Sequence, residues 1–194
     1  MAILYRVYYF IAFYFIAFWI YQFSRLISHK LPRHVVKYIG FDVDGTLTNG
    51  EVWYSDQGRL PLLRFSRIDG YGFVRLKRYK VVIFILSGSS GKEIEARAKD
   101  LGIEMRHTFQ GVHEKLDFIK ATCPDWDLKK IAFMGDDVAD LDFLRAIGVS
   151  ATPRDARKDV RIAVDYVAKS RGGKGAAREF IDALIDNNNF EKNL

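Results

Sequence analysis

Asp42 and Asp44 stand two apart in the run Asp42-Val43-Asp44-Gly45, and Asp136 stands beside Asp137 just after Gly135. Carboxylates spaced two apart at a strand end can project to the same side. A third carboxylate arriving from another strand makes a cluster whose mutual repulsion calls for a cation. Oxygen-only ligands suit Mg²⁺, which keeps several waters and binds through one or two carboxylates plus phosphate oxygens. With no His or Cys beside them, zinc is disfavoured. Ser87, followed by Gly88, offers a hydroxyl and exposed backbone amides, and Lys115 offers a point positive charge. Together these groups suit phosphoryl transfer, which depends on positioning and charge neutralisation. Asp42 is the candidate nucleophile, dividing hydrolysis into formation and breakdown of an aspartyl phosphate. Asp44 is the candidate acid and base, protonating the leaving oxygen and later activating water.

The elements that must carry these groups are legible as apolar runs. Val35 to Val43, Val81 to Leu86 and Ile131 to Met134 read as buried strands, each ending at one of the polar clusters. Short strands are expected at Met105 to Phe109, Val149 to Ala151 and Tyr166 to Ala168. Helices are expected over Gly72 to Tyr79, Lys92 to Leu101 (stopped by Gly102), His113 to Thr122, Ala139 to Ile147 and Ala176 to Ile185. Glu51 to Tyr54 and Leu60 to Phe65 flank Ser55-Asp56-Gln57-Gly58, a hairpin signal. Strands alternating with helices indicate an α/β fold with a largely parallel sheet, in which ligands bind at the carboxyl ends of strands. Asn187 to Leu194 reads as a frayed tail. His107 and His113 read as surface or structural hydrogen-bonding residues, and Trp53, Tyr71 and Trp126 as packing residues.

The ordered set Asp42-Val43-Asp44-Gly45-Thr46-Leu47-Thr48, Ser87-Gly88, Lys115 and Gly135-Asp136-Asp137 with Asp140 resembles the four motifs of the haloacid dehalogenase superfamily. The likeness runs from about residue 36 to residue 180. It implies a Rossmann-like fold with helices on both faces of the sheet. It also implies Asp42 as nucleophile, Asp44 as acid and base, and Ser87 and Lys115 as phosphoryl ligands. Mg²⁺ would be held by Asp42, the Asp44 carbonyl and Asp136, with Asp137 supporting. Phe65 to Gly72, Phe109-Gln110-Gly111 and Gly172 to Glu179 further resemble the 3-deoxy-D-manno-octulosonate 8-phosphate phosphatase family. That likeness implies a capless homotetramer acting on a small phosphorylated sugar acid in lipopolysaccharide core biosynthesis. Thr46, Gly88, Arg67, Asp69, Lys174 and Arg178 then become candidate substrate-binding residues. The gaps from Gly45 to Ser87 and from Ser87 to Lys115 are too short for an independent cap, and the hairpin at 51 to 65 is the expected flap and subunit contact. Two positions depart from the family pattern: Ser89 follows Gly88 where Arg is usual, and Ile68 precedes Asp69-Gly70 where Arg or Lys is usual. Another sugar acid phosphate, such as that of a nine-carbon keto sugar acid, is the alternative substrate. A non-catalytic oligomerising module is the alternative function.

Charge and composition narrow the rest. Of 194 residues, 49% are hydrophobic and 28% charged, enough to build a core. Of the net charge of +6, five units come from the first 40 residues, which hold five basic groups and no acid. The remainder carries 25 basic against 24 acidic residues, which gives no electrostatic footprint for nucleic acid. A single Cys123 excludes an intrachain disulfide. Residues 1–34 form a separate N-terminal segment ahead of a phosphatase domain at 35–186. Val7 to Phe23 is apolar and aromatic with only Gln22 clearly polar, and basic residues follow it. It reads either as a membrane anchor, which by the positive-inside rule leaves the body cytoplasmic, or as sequence upstream of the true start. A cleaved signal peptide is disfavoured, since no small-x-small site follows.

Overall fold

The structure, a computed structural model, describes residues 31–53 and 62–193. Six strands form one parallel sheet: β1 (Tyr38–Phe41), β2 (Val82–Leu86), β3 (Thr108–Phe109), β4 (Ile131–Met134), β5 (Val149–Thr152) and β6 (Tyr166–Val167). Their order across the sheet is β3-β2-β1-β4-β5-β6, and every pairing is parallel. The chain starts at the centre, builds outward to β3, then crosses back to β4 beside β1. That reversal places a crevice at the carboxyl ends of β1 and β4, where open α/β sheets bind ligands.

Both faces of the sheet are covered, which is why its strands are continuously apolar rather than alternating. On one face Ile39, Phe41, Ile85, Ala132 and Met134 pack against α1 (Arg67–Leu76), α2 (Lys92–Leu101) and α6 (Ala176–Asp186) through Phe73, Leu76, Ile94, Ala98, Phe180 and Ile181. On the other, Phe84, Leu86, Ile131 and Phe133 meet α3 (Lys115–Thr122), α4 (Leu141–Ala146) and α5 (Lys158–Ala163) through Ile119, Phe143, Leu144 and Val160. Trp126 packs as expected, stacked on Tyr38 at 4.3 Å between ring centroids. Trp53 and Tyr71 do not: they are 66% and 58% exposed.

The expected strand and helix positions recur with shifted ends. α1 begins at Arg67 rather than Gly72, because the Ser66 hydroxyl accepts hydrogen bonds from the Ile68 and Asp69 amides and caps the helix earlier. The helix α5 was not anticipated. Only Val160 in it is buried, so it carries no apolar periodicity. Trp53 and Leu62 exchange backbone hydrogen bonds in an antiparallel bridge, and the hairpin residues between them lie outside the described residues. So does the apolar stretch 7–23. Among the described residues no helix is long and apolar enough to cross a membrane.

The compact body begins at Leu31, ahead of the expected boundary at 35, and runs past residue 186. The stretch from Asn187 is not frayed. The Asn189 side chain, 1% exposed, donates to the Pro32 and His34 carbonyls, and Asn187 donates to the Leu31 carbonyl. Phe190 is buried against Tyr79, and Lys192 forms a bridge with Tyr79. Buried amides with good partners outweigh the fraying that three consecutive asparagines suggest.

Asp69 also differs from expectation. It is 1% exposed, and its carboxylate accepts the Gly175 and Arg178 amides at the start of α6. Burial raises its carboxyl above the ordinary value, opposed by those amides and the Ser66 hydroxyl. It is a helix cap that ties α6 to α1, not a ligand for substrate. Asp69→Ala leaves two buried amides unpaired, so a loss of about 2–4 kcal/mol in unfolding free energy is expected. A urea denaturation series measures it, and a loss under about 0.5 kcal/mol would contradict the capping role.

Candidate active site

Asp42 leaves the end of β1, and the chain then turns sharply back on itself, closed by the Thr48 amide donating to the Val43 carbonyl. Gly45 makes this turn possible. Its φ is +79°, and any Cβ there would collide with the Asp136 carboxylate. The turn is braced from behind by Gly172 and Gly173. The Gly173 amide donates to the Thr46 carbonyl at 3.0 Å, and a Cβ on Gly172 would strike the Gly45 carbonyl oxygen. Asp155 accepts the Gly172 amide, while Glu179 accepts the Lys169 and Ser170 amides and the Tyr166 hydroxyl. The glycine-rich run is therefore a brace for the nucleophile turn. Lys174 within it is exposed and does not line the site cavity, nor does Arg67. Arg178 is occupied elsewhere, donating to Asp182 at 2.6 Å and lying over the Tyr71 ring. These three and Asp69 are not brought to the cavity of this chain.

The cavity is about 440 Å³ and is lined by Asp42, Asp44, Gly45, Gly88, Ser89, His113, Lys115, Asp136 and Asp137, among others. Lys115, the first residue of α3, is buried and donates to Asp42 Oδ1 at 2.9 Å and to Asp140 Oδ1. Burial alone would lower the Lys115 ammonium, but Asp42 and Asp140 outweigh it and hold the group above its ordinary value. Lys115 is thus a fixed cation beside the Asp42 carboxylate.

One carboxylate oxygen from each of Asp42, Asp136 and Asp140 lies within 4.8 Å of the others. Burial pushes the Asp42 carboxyl up to about 6; Lys115 lowers it and Asp140 raises it. Asp136 goes to about 8, through burial first and then the like charges of Asp42, Asp140 and Asp137. Two acids this reluctant to ionise, presenting only oxygens, form a site that a hard divalent cation fits. Asp140 is already committed: Oδ1 meets Lys115, and Oδ2 accepts the Asp136 and Asp137 amides. Asp42 and Asp136 are the carboxylates left to hold the cation. Asp44 lines the cavity and is not one of the three clustered carboxylates.

Two assignments made from the sequence change. The supporting acid is buried Asp140 rather than exposed Asp137. Its spacing four residues beyond Asp136, at a helix start, was the available signal. Thr46 is buried, and its hydroxyl donates to Asp136 Oδ1 at 3.3 Å, so it orients the cluster and does not line the cavity. His113, read as a surface or structural hydrogen-bonding residue, is exposed, and it also lines the cavity two positions before Lys115. Ser87 is buried with its Oγ accepting the Ser89 amide, which leaves its proton free to donate. Gly88 and Ser89 present that turn to the cavity.

No family model matches the chain. Curated relatives do. The 3-deoxy-D-manno-octulosonate 8-phosphate phosphatase of Haemophilus influenzae is 34% identical over 154 residues, covering 77% of this chain and 83% of the relative. That of Escherichia coli strain K12 is 31% identical over 156 residues, 77% and 79% of the two chains. Among solved structures, the Moraxella catarrhalis phosphatase of the same name, in complex with magnesium, phosphate and 3-deoxy-D-manno-octulosonate, superposes with a TM-score of 0.75 at 30% identity, over 80% of this chain and 88% of that one. The cobalt-bound Haemophilus influenzae enzyme gives 0.70 at 34% identity, over 79% and 89%. With a six-stranded parallel sheet, the motif residues at its carboxyl edge and this extent of identity, the chain belongs to the 3-deoxy-D-manno-octulosonate 8-phosphate phosphatase family of the haloacid dehalogenase superfamily.

Proposed function

We propose that the protein is a Mg²⁺-dependent phosphatase that hydrolyses 3-deoxy-D-manno-octulosonate 8-phosphate through an aspartyl phosphate, supplying the sugar acid for the lipopolysaccharide core. The carrying observation is the cluster of buried Asp42 and Asp140, both bonded to Lys115, with half-buried Asp136 beside them at the carboxyl ends of β1 and β4. The relatives' shared substrate supports the choice of sugar acid. A homotetramer fits the same reading: among the described residues no cap covers the cavity, and Val52, Trp53 and Leu62 expose apolar surface next to Gly50 at its rim.

In this reading a carboxylate oxygen of Asp42 attacks phosphorus while the bond to the leaving oxygen breaks. Asp44 gives its proton to that oxygen. Water then attacks the phosphorus of the aspartyl phosphate, Asp44 takes its proton, and Asp42 departs as a carboxylate with inorganic phosphate released. Lys115, the Ser87 hydroxyl and the amides of the Gly88 turn bind the equatorial oxygens and neutralise their charge. Mg²⁺, held by Asp42, the Asp44 carbonyl and Asp136, supplies further charge neutralisation when bound.

Asp42→Asn keeps the shape and removes the nucleophile, so kcat on the sugar acid phosphate should fall by at least about 10³-fold. Phosphate release assays measure this, and a variant within about tenfold of wild type would remove the covalent route.

The raised acids also set a pH dependence. Asp42 and Asp136 hold protons up to about 6 and about 8 in the metal-free fold, against 3.8 ordinarily. The unfolded chain loses those protons first, so metal-free stability from this cluster falls as pH rises from about 4 towards about 8. Cation binding displaces the same protons and restores the loss. Saturating Mg²⁺ should therefore raise the melting temperature more at pH 8 than at pH 5.5 by differential scanning calorimetry. An equal or larger shift at pH 5.5 would contradict the assignment of the cluster as the cation site.

A further inference from the structure

The cavity is polarised across the sheet. The segments after β1 and β4 bring five carboxylates to it: Asp42, Asp44, Asp136, Asp137 and Asp140. The segments after β2 and β3, on the opposite side of Asp42, bring Gly88, Ser89, Val112 and His113, and no carboxylate. Glu114 follows His113 in the chain but does not line the cavity. An anionic leaving group is repelled from the β4 side and accommodated on the β2–β3 side. Lys115 is buried and bonded to Asp42 and Asp140, and in the reading above its remaining donor goes to the phosphoryl group. Among the described residues His113 is the other cavity-lining side chain with a nitrogen donor. It is exposed and makes no hydrogen bond or ion pair among the described residues, so its ring N–H is available to a ligand in the cavity.

Its placement is fixed by the backbone. The Val112 amide donates to the Ser87 carbonyl at 2.9 Å, and the Gly111 amide to the Ser89 carbonyl at 3.1 Å. These bonds lock the approach to His113 onto the Ser87 turn. The Nδ1 atom lies 3.6 Å from where a Cβ on Gly88 would stand, so the imidazole rests against that turn.

We infer that His113 is a substrate-binding residue that donates a hydrogen bond to the carboxylate of the sugar acid while the phosphoryl group sits at Asp42. The inference rests on the proposed substrate, a phosphoester whose leaving group is itself an anion. A hydrogen bond to a charged group at an open rim contributes to ground-state and transition-state binding alike, so its loss should raise KM and leave kcat.

Steady-state kinetics in Mg²⁺ test this with wild type, His113→Ala and His113→Gln. The substrates are 3-deoxy-D-manno-octulosonate 8-phosphate and p-nitrophenyl phosphate, which lacks a carboxylate. For the sugar acid phosphate, His113→Ala should raise KM about tenfold with kcat within about twofold, and His113→Gln, which keeps a donor, should recover part of the loss. For p-nitrophenyl phosphate both constants should stay within about twofold of wild type. An unmoved KM for the sugar acid phosphate overturns the inference alone. Equal losses on both substrates assign His113 to the phosphoryl group and also overturn it. A wild-type protein inactive on the sugar acid phosphate removes the substrate reading and this inference with it.

Discussion

Two buried carboxylates on one buried ammonium, with a third half-buried beside them, are the constraint on which the rest of the molecule depends. Asp42, Asp136 and Asp140 repel one another in a medium where charge is weakly screened, and Lys115 offsets Asp42 and Asp140. A chain does not bring such groups together by packing preference. They are imposed by strands and turns that the two apolar cores hold in place. Burial raises Asp42 and Asp136 to about 6 and about 8, so the fold carries an electrostatic cost that a cation relieves. Affinity for a divalent ion and the repulsion within the cluster are two views of one arrangement.

That cost explains how much structure stands behind the nucleophile. The turn after β1 is crowded by Asp136 in front and by Gly172 and Gly173 behind, leaving no room for Cβ atoms at the two closest points. The bracing loop is fastened by Asp155 and Glu179, and the helix following it is capped by Asp69. Burial alone would raise the Glu179 carboxyl, but hydrogen bonds from Lys169, Ser170 and Tyr166 outweigh it and hold it below its ordinary value. Residues far from the cavity thus fix the direction in which Asp42 points.

The fold and the groups that line the cavity were legible in the sequence because each rests on a local signal. Buried parallel strands are continuous apolar runs, and a polar cluster at the end of each marks the carboxyl edge. Asp42, Asp44 and Asp136 stand at such ends and do line one cavity. What was not legible depends on contacts between distant parts of the chain. Asp69 beside an active-site motif looks like a ligand; only its bonds to Gly175 and Arg178, more than a hundred positions away, make it a cap. Asn187 to Asn189 look like a loose end until the carbonyls of residues 31 to 34 arrive to receive them. Asp140 and Asp137 are indistinguishable as residue types, and the helix start decides which one turns inward.

In the proposed reading, reaction and specificity occupy different sides of one crevice. The carboxyl ends of β1 and β4 hold the carboxylates assigned to phosphoryl transfer. The ends of β2 and β3 hold small residues and a histidine, and the departure from the usual family pattern at Ser89 falls on that side. Ile68, the other departure, is exposed on α1 and does not line the cavity. A substitution at Ser89 changes what the leaving group meets without touching Asp42, Lys115 or Asp136. Such separation lets substrate preference drift between relatives while the phosphoryl chemistry stays fixed.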